Sequence, residues 1–114
     1  MIDKFPEEFE FIGFFEADPV RLSSGGDVVL YEIEDEEGFK LRFSFDIIEG
    51  SIQAVVQHKD HEVMRFSQEF AKSIEIFEKE ESDFMICRFE HEDVSTVSTI
   101  QIRPFIKITC ATLL

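Results

Sequence analysis

The chain has no tryptophan, no asparagine, one tyrosine, two cysteines and three prolines in 114 residues. Without asparagine there is no N-glycosylation acceptor, and two cysteines are too few for the disulfide framework that staples small secreted domains. Both cysteines, Cys87 and Cys110, lie in apolar alternating segments, where a reduced thiol packs as a small hydrophobe. Long apolar runs are missing too: the stretch 28–30 is typical of the longest, far short of the ~20 residues of a membrane helix. The first eight residues offer neither a basic region nor an apolar one, so they read as neither a secretory signal nor a transit peptide, and a cytoplasmic location is expected.

Positive charge is also scarce. Eleven basic residues face 25 acidic ones, for a formal net charge of −14. That balance argues against direct binding to nucleic acid or anionic lipid and for a basic protein partner. Catalytic signatures are absent as well: no nucleophile elbow, phosphate-binding loop, dinucleotide fingerprint or HExxH helix occurs. No enzyme activity and no cofactor are therefore expected.

What is present suffices for one soluble domain over 1–114. Hydrophobic residues make up 44% of the chain against 32% charged, which excludes intrinsic disorder. Period-two alternation dominates. Phe39, Leu41, Phe43, Phe45 and Ile47 alternate with Lys40, Arg42, Ser44 and Asp46, the pattern of a half-buried strand. Glu49-Gly50-Ser51 reads as a turn with Gly50 at positive φ, after which Ile52, Ala54 and Val56 resume the alternation. Further strands are expected at 9–15, 28–34, 84–90, 96–102 and 105–111, separated by turn clusters at 23–27 and 36–38. Pro104, unable to donate a ladder hydrogen bond, marks a corner between the last two. The fold class expected is mainly β, an antiparallel β-sandwich or strongly curved sheet.

Two segments resist a single reading. In 61–80, Val63, Phe66, Phe70, Ile74 and Phe77 fall at helical spacing, while Met64, Phe66, Phe70, Ile74 and Ile76 share the parity of one strand face. Strand–turn–strand, or a short helix over 61–72 capped by Asp60 and followed by a strand, both fit. In 9–15, Phe9, Phe11, Phe14 and Phe15 would point to both faces of a strand, which requires cover on both sides, from the core or from a partner.

The acidity is N-terminal. Residues 1–57 hold four basic against 14 acidic side chains, residues 58–114 seven against 11, and no carboxylate side chain occurs after Asp93. The densest cluster is Glu32, Glu34, Asp35, Glu36 and Glu37. On a strand Glu32 and Glu34 share a face about 6.7 Å apart, and such a like-charged row costs stability. It is the candidate partner-binding site, set against a plain solvated hairpin tip at 35–38. Two fainter candidates remain: a thiolate–imidazole pair of Cys87 with a histidine, and a metal site from His58, Asp60, His61 and His91, whose spacing matches no recurrent zinc pattern. No metal is expected.

The acidic cluster, together with the strand-rich end Thr99-Ile100-Gln101-Ile102-Arg103-Pro104-Phe105-Ile106-Lys107-Ile108, gives the chain the character of a small acidic β-domain without catalytic residues. In this it resembles the immunity proteins that neutralise bacterial polymorphic or contact-dependent toxins. The resemblance implies stoichiometric binding to a cognate toxin, often a basic nuclease, with its active site or an exosite blocked. It carries over no individual residue. Two other readings fit the residues: a structural or adaptor domain that homo-oligomerises through an exposed strand or the 9–15 face, and a β-barrel-like small-ligand binder.

Overall fold

A computed structural model describes residues 1–22 and 27–113 of the chain. Helix α1 spans Glu8–Phe15, and strands follow at β1 (Val20–Arg21), β2 (Val28–Glu34), β3 (Phe39–Asp46), β4 (Ser51–His58), β5 (His61–Gln68), β6 (Ala71–Glu78), β7 (Asp83–His91), β8 (Val94–Arg103) and β9 (Lys107–Leu113). They form two antiparallel meanders, β1-β2-β3-β4-β5 and β6-β7-β8-β9. The expected β class is observed; the sheets do not close into a barrel, and the interior between them is filled. The turn expected at 23–27 falls largely outside the described residues.

The segment 9–15 is helix, not strand. Phe11, Phe14 and Phe15 follow an i, i+3, i+4 spacing that puts all three on one side of a helix, and all three are buried while Phe9 stays 74% exposed. A strand would have left half of these rings uncovered. The start suits a helix: Glu8 and Glu10 favour the positive end of the helix dipole, and Glu10 Oε1 accepts from the Glu7 N–H at 3.1 Å. Glu16 ends it with φ 55°, its N–H donating to the Ile12 carbonyl at 2.8 Å. Phe15 stacks on Tyr31 at 4.9 Å and Phe11 on Phe45 at 5.0 Å between ring centroids, contacts that each add about 0.5–1.5 kcal/mol beyond area burial. The aromatic cover that the 9–15 segment needs is therefore the first sheet of the same chain, and an oligomer face built on those rings is not available.

The segment 61–78 is strand–turn–strand. Lys59 and Asp60 both take positive φ, 50° and 69°, and the flanking His58 and His61 are paired, so 59–60 is a two-residue hairpin turn rather than a helix cap. Phe66 and Met64 then face the core, and Phe66 meets Phe89 of the second sheet at 5.8 Å. Gly50 has φ 76° as its turn requires. Its amide oxygen accepts from the Ala71 N–H at 2.9 Å, tying the β3–β4 turn to the second sheet.

The N-terminal residues join the two sheets. The Ile2 N–H donates to the Ile47 carbonyl at 2.9 Å, the Asp3 N–H to Lys72 at 2.9 Å, and Ile74 donates back to the Lys4 carbonyl at 2.9 Å. Ile2 is buried in the shared core with Leu41, Phe43, Ile52, Met85 and Ile100. Cys87 is also buried there, but Cys110 is exposed: β9 is an edge strand, and alternation alone does not say whether a second layer covers the inner face.

Candidate functional site

The acidic cluster sits on the β2–β3 hairpin. Glu32 and Glu34 lie on the outer face of β2, directly opposite Arg42 and Lys40 of β3. Arg42 Nε approaches Glu32 Oε2 to 3.4 Å, so the row is partly neutralised by its own sheet. The cross-strand bases explain how like charges are tolerated there. Glu36 does not extend the row; it sits in the turn, where Gly38 takes φ 85°. Among the described residues no basic group stands within ion-pair distance of Glu34, Glu36 or Glu37.

Asp35 has an internal task. Its Oδ1 accepts from the N–H groups of Glu37 at 3.0 Å and Phe39 at 2.9 Å, shaping the turn. Its Oδ2 accepts from the Ile106 N–H at 3.1 Å, 71 residues away in the β8–β9 connection. One carboxylate thus fastens the tip of the first sheet to a corner of the second. Beside this tie lies an open cleft of about 490 Å³, walled by Glu32, Glu34, Asp35 and Glu36 on one side, by Ile102, Arg103 and Pro104 on the other, and by Phe15 and Glu16 at the end of α1. Arg103 is held in that wall by Asp83 at 3.0 Å and Glu16 at 3.5 Å. With Arg103 neutralised, the cleft presents an excess of carboxylate oxygens to solvent, suited to guanidinium or ammonium groups.

Alternation identified Glu32 and Glu34 as neighbours, and the turn cluster supplied Glu36 and Glu37. Glu16 and Arg103 of the opposite walls carry no sequence signal tying them to residues 32–37, because only the packing of the two sheets brings them together.

The fainter candidates dissolve in the structure. Burial pushes the Cys87 thiol up to about 12, the nearby Cys110 adding to the shift, which leaves no thiolate for catalysis near neutrality. His58 stacks on Phe39 at 4.3 Å and His91 on Phe70 at 3.8 Å, so these rings lie against aromatic faces in different sheets. Among the described residues no group of three or more His, Cys, Asp or Glu is placed to hold a metal ion. No described helix is long and apolar enough to cross a membrane.

No protein-family model matches the chain, and comparison with curated proteins gives no match. A solved structure does. A chain of the contact-dependent growth inhibition toxin–immunity protein complex from Klebsiella pneumoniae 342 superposes with a TM-score of 0.89 at 28% identity, covering 98% of each chain. The protein is similar, end to end, to a component of a toxin–immunity complex. That likeness bears out the resemblance to immunity proteins drawn from the sequence, and it extends over nearly the whole chain.

Proposed function

We propose that this chain is an immunity protein, a non-catalytic cytoplasmic inhibitor that binds one cognate toxin stoichiometrically. The observation that carries the reading is the full-length likeness to a chain of a toxin–immunity complex, 0.89 in TM-score over 98% of both chains. The partner proposed is a basic toxin domain, with a nuclease as the leading class. A surface shaped to hold phosphates is positively charged, and Glu32, Glu34, Asp35, Glu36 and Glu37 offer carboxylates in competition with them. Glu34, Glu36 and Glu37 are the contact residues, since they are exposed and unpaired; Glu32 contributes through its pair with Arg42, and Asp35 by holding the hairpin tip in place. The net charge of −14 steers the encounter and makes it salt-dependent.

The test uses the product of the gene immediately upstream as the candidate toxin. Co-expression of the full chain is expected to restore growth, and absence of rescue would remove the immunity reading. Titration calorimetry then separates role from site. Glu32→Gln, Glu34→Gln, Glu36→Gln and Glu37→Gln together should weaken binding by roughly a hundredfold at low salt, from several rim and near-rim charges lost at once. Glu78→Gln, Glu80→Gln and Glu81→Gln, exposed on the β6–β7 side, should leave it nearly unchanged. Equal affinities for the two variants would displace the proposed site while leaving the role intact.

A further inference from the structure

A sheet edge exposes a row of unpaired backbone donors and acceptors, and proteins normally blunt it with shortness, charge, a bulge or a covering segment. Three of the four edge strands here carry such a device. β1 is two residues long. β5 carries His61, Glu62 and Arg65, and its register slips opposite Val56 and Gln57, leaving Val63 as the bulged residue. β6 is covered by residues 3 and 4 through hydrogen bonds at Lys72 and Ile74. β9 is neither short, bulged nor covered, and its single charge, Lys107, stands at its first position. It pairs with β8 without a register slip from Lys107 to Leu113, holds no proline, and is exposed at six of its seven positions, Lys107 and Thr109 to Leu113, with only Ile108 half-covered.

We infer that β9 is a self-association edge, through which a second copy of this chain pairs antiparallel about a two-fold axis at Cys110, joining the two β6–β9 sheets into one. Charge selects the occupant. Two molecules at −14 each repel, and they approach with least penalty where carboxylates are missing, which is the segment after Asp93. The strand is also self-complementary, as a two-fold contact requires. Full overlap of 107–113 sets Lys107 opposite Leu113, Ile108 opposite Thr112, Thr109 opposite Ala111, and Cys110 opposite its own copy, with no like charges facing each other. Directly opposed antiparallel residues have Cα atoms about 4.5–5.5 Å apart, within disulfide reach, so Cys110 reports the register.

Sedimentation of the full chain across the micromolar range tests this. The mass is expected to rise from the 13.3 kDa of one copy towards two copies. High salt should favour the pair by screening repulsion, opposite to the salt response proposed for toxin binding. Thr109→Lys with Ala111→Lys, both at exposed positions on the outer face of β9, should hold the protein as one copy while circular dichroism stays unchanged. Copper-catalysed oxidation should link wild-type copies, two Cys110 thiols losing two protons and passing two electrons to the copper–oxygen oxidant; Cys110→Ser should abolish the link. The double-lysine variant keeps Cys110 and should link far more slowly. A single copy at every concentration, a pair insensitive to the two lysines, or undiminished linkage in that variant would each overturn the inference.

Discussion

The hairpins β2–β3 and β8–β9 face each other across the cleft, joined by the hydrogen bond from the Ile106 N–H to Asp35, yet they handle charge and burial in opposite ways. The first is crowded with carboxylates, pairs one of them, Glu32, with Arg42, turns Asp35 inward as an acceptor, and leaves Glu34, Glu36 and Glu37 to solvent. Its inner face, Tyr31, Phe43 and Phe45, lies under the rings of α1. The second has no carboxylate at all, and its last strand is exposed at every position except Ile108, which packs partly against the core. What differs is the number of covered faces. A hairpin roofed by a helix can devote its turn to charge, because its anchoring comes from the core; an edge hairpin is anchored by one neighbouring strand and by the corner at 104–106.

The strongest way to sharpen the contrast is to remove a ring. Phe43→Ala, from a fully buried site packed on Phe15 and Phe45, should cost about 3–5 kcal/mol in urea unfolding, while Cys110→Ala on β9 should cost little. Alkaline unfolding comes next. The Cys87 thiol, buried on β7 beside β8, is pushed up to about 12 in the fold because burial opposes its charge, whereas in the unfolded chain it titrates near the ordinary thiol value. Its contribution is therefore complete below that ordinary value and is lost as pH rises through about 12. Stability should fall by about 1.4 kcal/mol per pH unit in that window. Tyr31, raised to about 12 chiefly by burial and then by Glu8, against the opposing charge of Arg21, acts in the same direction, and Cys87→Ala should make the fall shallower.

Breaking the tie between the hairpins is expected to cost less. Asp35→Ala leaves the N–H groups of Glu37, Phe39 and Ile106 without their acceptor, about 1–3 kcal/mol in total, and amide exchange at Ile106 should rise. Gly38→Ala should cost about 1 kcal/mol: the site is open, with only the His58 ring at 3.8 Å, but φ is 85°. Smallest is Glu32→Gln, since its pair with Arg42 is about 40% exposed on both sides and such pairs contribute about 0–1 kcal/mol. A large loss of stability there would mean that the outer-face charges, and not the roofed core, hold the first hairpin in place.

The strands were legible wherever one face is buried and the other wet. Phe39–Asp46, Val28–Glu34 and the turns at Gly38 and Gly50 follow from alternation and from glycine's access to positive φ. The helix was not, because a run rich in phenylalanine satisfies the strand template as easily as the helical one, and the choice falls to whether α1 can lay Phe11, Phe14 and Phe15 on a waiting aromatic sheet. The exposure of Cys110 was equally hidden, since β9 keeps the alternation of a covered strand.

The amino-acid sequence by itself determined that this is a β-rich acidic domain whose carboxylates gather in the first half, because pattern, turn chemistry and charge counts are local properties. Tertiary structure alone decided which carboxylates remain unpaired, that Glu16 and Arg103 wall the same cleft as Glu34 and Glu36, and that one sheet edge stays open. Each of these depends on how two sheets pack, which is set by non-local contacts between residues as far apart as Asp35 and Ile106.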